Sequence, residues 1–248
     1  IPMVFFLVFA LLASTSLATT ITCDVSTPCN NMDITCADNE PCTILCNDYC
    51  FDSTIYCPTT GDCDITCDSL NGCHNATINA PSVGDFTMRC QGESTCENVF
   101  IDASQHAGNF NLQCTPTGSG KHSCQHITVH GSTLSENAGN LFSIQCGHSS
   151  DGRSFACRHG SLFCATHTDC TIDCISERGG CNNAEITAPT EHRLDVKCLN
   201  TFACQSAEIY GQTSSDLDVE CFASNADARA CADLSIHCPP HTGSAKHC

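Results

Sequence analysis

The amino-acid sequence predicts an all-β, single-domain parallel β-helix, a β-solenoid of nine coils of about 23 residues with disulfides inside each coil. Three observations predict it: a cysteine-anchored repeat, a second cysteine at the same place in every repeat, and an alternating apolar run after that cysteine. A fixed period decides a fold before any single element does, so the repeat comes first.

The repeat has the form aliphatic-x-Cys. It opens nine rows, at Ile21-Thr22-Cys23, Ile44-Leu45-Cys46, Ile65-Thr66-Cys67, Met88-Arg89-Cys90, Leu112-Gln113-Cys114, Ile144-Gln145-Cys146, Ile172-Asp173-Cys174, Val196-Lys197-Cys198 and Val219-Glu220-Cys221. Each row then carries its second cysteine, at Cys29, Cys50, Cys73, Cys96, Cys124, Cys157, Cys181, Cys204 and Cys231. A second alternating run follows, as in Ala76-Thr77-Ile78-Asn79-Ala80 and Ala184-Glu185-Ile186-Thr187-Ala188. Apolar residues two apart mark a strand with one buried face. Rows of this length stack as coils about 4.8 Å apart, giving a rod on the order of 40 Å long. The expected hand is right, which parallel crossovers favour.

The remaining eight cysteines form pairs six or ten residues apart: Cys36 with Cys42, Cys57 with Cys63, Cys164 with Cys170, and Cys238 with Cys248. Four rows have both members and the other five have neither. Where the pair is missing, a small residue and a large one stand in its columns: Ala80 with Phe86, Ala103 with Phe110, Gly131 with Phe142, Ala188 with Leu194, Gly211 with Leu217. A cystine is a compact apolar bridge, and such a pair fills a similar volume. Joint presence and absence implies that each pair bonds to itself. By the same logic the universal columns pair along each row: Cys23–Cys29, Cys46–Cys50, Cys67–Cys73, Cys90–Cys96, Cys114–Cys124, Cys146–Cys157, Cys174–Cys181, Cys198–Cys204 and Cys221–Cys231. Bridges between neighbouring coils are the alternative, because stacked Cα atoms also lie near 5 Å. Zinc is the competing use of dense cysteine, but it favours C-x-x-C knuckles, which this sequence lacks. No metal or cofactor is expected.

Residues 1–18 contain no cysteine. The apolar run Val4 to Ala13 followed by Ser16-Leu17-Ala18 predicts a signal peptide cut after Ala18, leaving residues 19–248 as the β-helix. About ten strongly apolar residues are too few to cross roughly 30 Å of hydrocarbon, so no membrane span is expected. A secreted or cell-surface location supplies the oxidising compartment that disulfides need.

The charge is −18, from 27 Asp plus Glu against 9 Lys plus Arg. That balance excludes nucleic acid as a partner, since nucleic acid needs a basic footprint.

On the outward faces, the carboxylates Asp173, Asp195, Asp218 and Glu220 gather around Lys197, which is the best candidate for glycan-cleaving or calcium chemistry. No long loop walls a cleft around them, and solvated carboxylates are common on an acidic solenoid. Coils containing Ile-Thr-Cys resemble the insect antifreeze proteins, but the outward column passes through Arg89, Lys197 and Glu220, which breaks a threonine array. Phe100, His130 and Phe163 point outward in consecutive rows and form a candidate partner or sugar patch, unless the insertion at 132–139 covers them. Asn75-Ala76-Thr77 is the N-glycosylation sequon, with Asn75 pointing outward.

The recurrent form aliphatic-x-Cys, short loop, Cys, then Asn-Ala-x-Ile, as in Cys73-His74-Asn75-Ala76-Thr77-Ile78 and Cys181-Asn182-Asn183-Ala184-Glu185-Ile186, resembles cysteine-rich secreted repeat proteins of unicellular eukaryotes, with a pectin-lyase-like architecture and no catalytic motif. The likeness covers residues 21–248 and implies extracellular or surface structure. The function expected is a secreted structural or adhesive solenoid, not an enzyme, whose uncapped ends assemble head to tail into filaments. Its expected partners are further copies of itself or extracellular glycan or protein. A carbohydrate-active enzyme or glycan-binding module on the same fold is the alternative.

Overall fold

The computed structural model describes residues 18–116, 122–134, 139–147, 155–176, 179–190, 192–212, 216–222 and 229–239. The proposed leader therefore lies almost entirely outside the described residues, as do Cys248 and positions 135–138.

Among the described residues, eighteen strands alternate between two sheets. The odd-numbered strands, from β1 (Thr19–Cys23) to β17 (Asp216–Phe222), form one nine-stranded sheet, and the even-numbered strands, from β2 (Asp33–Thr35) to β18 (Ser235–His237), form the other. Every pairing is parallel, and each strand neighbours the strand one coil away. Register is in phase with the repeat. Cys23, Cys46, Cys67, Cys90, Cys114, Cys146, Cys174, Cys198 and Cys221 stack in one column. A one-residue slip would turn every interior side chain outward, so the buried face fixes this register.

Inside, the aliphatic column Ile44, Ile65, Met88, Leu112, Ile144, Ile172 and Val196 faces Ile55, Ile78, Ile101, Val129, Leu162, Ile186 and Ile209 of the second sheet, all at 0% exposure. The column that opens the first sheet runs Cys42, Cys63, Phe86, Phe110, Phe142, Cys170, Leu194, Leu217 in strict register. Its three aromatic members stack, with ring centroids 5.1 Å apart for Phe86–Phe110 and 4.4 Å for Phe110–Phe142. The small-plus-large pairs thus continue the cystine column as packed apolar volume.

Twelve disulfides join described residues. Nine close the corner between the sheets, from Cys23–Cys29 to Cys221–Cys231. Three close the opposite corner: Cys36–Cys42, Cys57–Cys63 and Cys164–Cys170. All twelve run within a row, none between coils. Cys238 is also in a disulfide. Sulfurs of neighbouring bridges come within 4.8 Å of one another, a spacing that thiolates would share with a metal, but each of these is bonded to sulfur.

The first corner has a backbone signature of its own. Asn31, Asp52, Asn75, Asn98, His126, His159, Asn183, Ser206 and Asp233, one per coil, all have φ between 52° and 57°. Left-handed backbone is costly for most residues and mildest for Asn and Asp, which hold six of the nine places. The conformation turns each N–H along the stack, as in Asn75 N to Glu97 O at 2.8 Å and His159 N to Asn182 O at 3.0 Å. Side chains add a second ladder: the Asn75 amide donates to Asp52 at 2.9 Å and accepts from Asn98 at 3.1 Å.

Candidate functional site

The carboxylate cluster of the first sheet is an ion-pair network. Register sets Asp195 beside Asp218 in one outward column and Lys197 between Asp173 and Glu220 in the next. Arg193, which motif reading passed over, sends its guanidinium to Asp218 at 2.6 Å and lies 4.0 Å from Asp195. Lys197 reaches Asp195 at 3.6 Å. Two cations thus serve the pair that a hydrolytic reading needs as free acid and base. One oxygen each of Asp173 and Asp195 is shielded from solvent without a hydrogen-bond partner.

Next to Asp173, a cavity of about 470 Å³ opens on the same face. Thr87, Asn111 and Ser143 line one side and Gln113 and Gln145 the other, over the buried Phe86 and Phe110. Hydroxyl and amide groups repeated at the coil spacing can hydrogen-bond a polar polymer laid along the rod.

On the second sheet, Phe100, His130 and Phe163 form a diagonal. Phe100 stands in the column of Thr128, and His130 in the column of Asp102 and Phe163. His130 meets each phenylalanine edge-on, at 5.0 and 5.1 Å. His130 is exposed and the two rings are half-buried. Beside them, hydrogen bonds from Ser104 hold Asp102 below the usual carboxylate range, with a smaller contribution from His130.

Histidine spacing along the chain puts His126 and His130 on one strand, too far apart to share an ion. In the structure His126 instead occupies the left-handed corner and stacks on His159 of the next coil, with centroids 5.1 Å apart. His159 is exposed, and partial desolvation of its imidazole holds it below its ordinary value, with Arg158 and His126 adding repulsion.

Asn75 is exposed at that same corner. An N-linked glycan takes one of its two amide hydrogens and leaves the other for Asp52.

A second cavity, of about 380 Å³, lies at the corner between Phe155, Arg158, Asn182, Phe202 and Gln205. The Arg158 guanidinium sits 5.2 Å over the Phe155 ring. Motif reading passed over this group because it aligned rows on the first cysteine. Aligned on the second, Phe155 and Phe202 are equivalent, as are Arg158, Asn182 and Gln205.

Comparison with protein-family models, curated proteins and solved structures finds no match for this chain. The geometry therefore carries the functional argument alone.

Proposed function

We propose that the protein is a secreted structural and adhesive solenoid whose copies stack end to end. The observation that carries this reading is the apolar surface of the two outermost described coils. Interior columns are buried in the middle of the rod, whereas Ile236 at one end is 47% exposed and Met32 at the other 54%, and Phe222 (67%) and Val25 (78%) add outward apolar surface beside them. Among the described residues β1 and β17 are the outermost strands of one sheet and β2 and β18 of the other, and edge strands template further pairing. β1 and β17 share the same alternation around a terminal cysteine column, so a second copy continues the register by setting Cys23 beyond Cys221 and Ile34 beyond Ile236.

Twelve bridges between described residues support an oxidising, extracellular setting. No helix among the described residues is long and apolar enough to cross a membrane. The hydroxyl and amide groove supports the adhesive part of the proposal, with glycan as its partner. The Arg193 and Lys197 pairs weigh against the enzyme alternative.

The test is electron microscopy and sedimentation of the purified protein beside an F222K/I236K variant. Both side chains are exposed, so the variant keeps its core. Wild-type rods in end-to-end chains and single rods for the variant are expected. Single wild-type particles at high concentration sink the proposal.

A further inference from the structure

The outward face of the first sheet changes character along the rod. One of its columns runs Asp64, Thr87, Asn111, Ser143, Thr171, Asp195 in register, coil by coil. Both acids are tied to cations: Asp64 takes the Arg89 guanidinium at 2.6 Å, and Asp195 lies 3.6 Å from Lys197. Between these ion pairs the column is uncharged over four coils, and the cavity of about 470 Å³ opens there. In a chain of charge −18, a neutral stretch of that length is a local exception.

The two walls of the cavity differ. On one side Asp85, Asn109 and Leu141 form a rail. One Asp85 oxygen accepts from the Asn109 amide at 3.0 Å and from its backbone N–H at 3.1 Å, and the Asn109 side-chain oxygen accepts from the Leu141 N–H at 3.0 Å. On the other side Gln113 and Gln145 stand in register. Every residue lining the cavity is described. Among the described residues, no hydrogen bond engages the side chains of Thr87, Asn111, Gln113, Ser143 or Gln145, although all five are half-buried. Such groups are served by water or by a ligand, and a polymer whose hydroxyls meet several of them at once adds their contributions. Their seat on a sheet holds them in place beforehand, which lowers the cost of binding.

The coil spacing repeats these groups about every 4.8 Å, so the four coils from Thr87 to Thr171 span about 14 Å. An extended β-1,4-linked hexose chain advances close to one coil spacing per sugar. Each unit then meets the next hydroxyl or amide of the floor and wall, whereas a curled α-1,4 chain leaves that line. Charge selects further. No basic residue lines the cavity, but Asp85 and Asp173 do. A uronate or sulfated polymer is therefore repelled and a neutral one is not.

We propose that this groove binds about three units of an uncharged, extended β-1,4-linked hexose polymer lying along the rod. The assignment rests on the adhesive reading above and names its ligand. It is independent of end-to-end stacking, because the groove lies in the middle of the rod.

The experiment titrates the intact oxidised protein by calorimetry with cellohexaose, chitohexaose, maltohexaose and hexagalacturonate. One of the first two is expected to bind at least about tenfold more tightly than either of the last two. Comparing the first two tells a plain hexose polymer from an N-acetylated one. Q113A/Q145A should weaken that binding about tenfold through two lost hydrogen bonds, and T187A, on the second sheet, should leave it unchanged. All three substituted side chains point outward and are half-buried, and a thiol count of zero with unchanged circular dichroism verifies that the variants fold. Tightest binding of maltohexaose or hexagalacturonate, or unchanged affinity in Q113A/Q145A, overturns the groove assignment and leaves the adhesive reading standing. Binding of none of the four overturns the assignment together with glycan as the adhesive partner.

Discussion

The interchange of cystine and apolar pair is open to direct test in one coil. Cys63 lies in register directly beside Phe86, the first ring of the Phe86–Phe110–Phe142 stack. Replacing the Cys57–Cys63 bridge by C57A/C63F extends that stack by one ring, and C57A/C63A leaves the column short of volume. Both variants lose the bridge, which spans six residues and by loop-closure entropy contributes about 2 kcal/mol. Only the Phe variant refills a position that is 1% exposed. Burying a phenylalanine side chain is worth about 1.5–3 kcal/mol, partly offset by overpacking in a site not shaped for it. C57A/C63F is therefore expected to exceed C57A/C63A by about 2 kcal/mol and to fall below wild type by a similar amount. Each coil contacts only its neighbours, so the effect is local. Amide hydrogen exchange at Ile65 and Met88, with the other bridges oxidised, reads it. Equal protection in the two variants would refute the reasoning, because the column would then be indifferent to the volume it holds.

Two more predictions follow from single residues. Gly84 has φ +125°, and an added Cβ would lie 2.3 Å from the Gly61 carbonyl oxygen, so G84A should cost more than about 1 kcal/mol by guanidinium unfolding, and a neutral result would contradict the close corner. His159 is held below the 6.5 of a free imidazole, mainly by partial desolvation. Its unfolded form thus takes a proton first as pH falls. The contribution to stability is complete above 6.5 and lost as pH drops through the folded value. An NMR titration of His159 should show a midpoint below 6.5, moving up only in part in R158Q because Arg158 is the smaller cause, and a midpoint at or above 6.5 would overturn this.

The solenoid was legible because its period is carried by residues that do one thing each. The aliphatic-x-Cys triplet lies in every odd-numbered strand, closing the first six of them and standing one residue before the end of the last three, and Ile78, Ile101 and Ile186 mark the even-numbered strands by alternation alone. The pairing of small and large residues, Ala103 with Phe110 for example, was readable because close packing conserves volume. Surface chemistry was less legible. Arg193 lies one residue ahead of the Leu194-to-Cys198 alternation that defined its strand, so its reach to Asp218 needed the register as well as the motif. Phe155 and Phe202 sit in a loop of variable length, where counting from the first cysteine loses phase. His126 was misread as a strand residue because nothing in its side chain announces a left-handed backbone.

The two corners are bridged so differently because their backbones do different work. At the second corner the positive-φ places fall mostly on glycine, Gly61, Gly84 and Gly139, with Asn39, where they cost little, and either a cystine or an Ala–Phe pair fills the turn. The first corner must point its N–H groups along the stack, which puts one residue per coil in left-handed backbone, and in three coils the cysteine itself, Cys73, Cys96 and Cys124 at φ 54–58°. Each such residue costs on the order of 1 kcal/mol, and packing alone cannot restore it, since the strain lies in the main chain. A covalent bridge across the corner removes unfolded conformations instead, contributing about 2 kcal/mol per coil. The two magnitudes are comparable, so the corner holds only while bridged. That accounts for a cystine in every one of the nine rows there, and for the freedom of five rows to do without one on the opposite side.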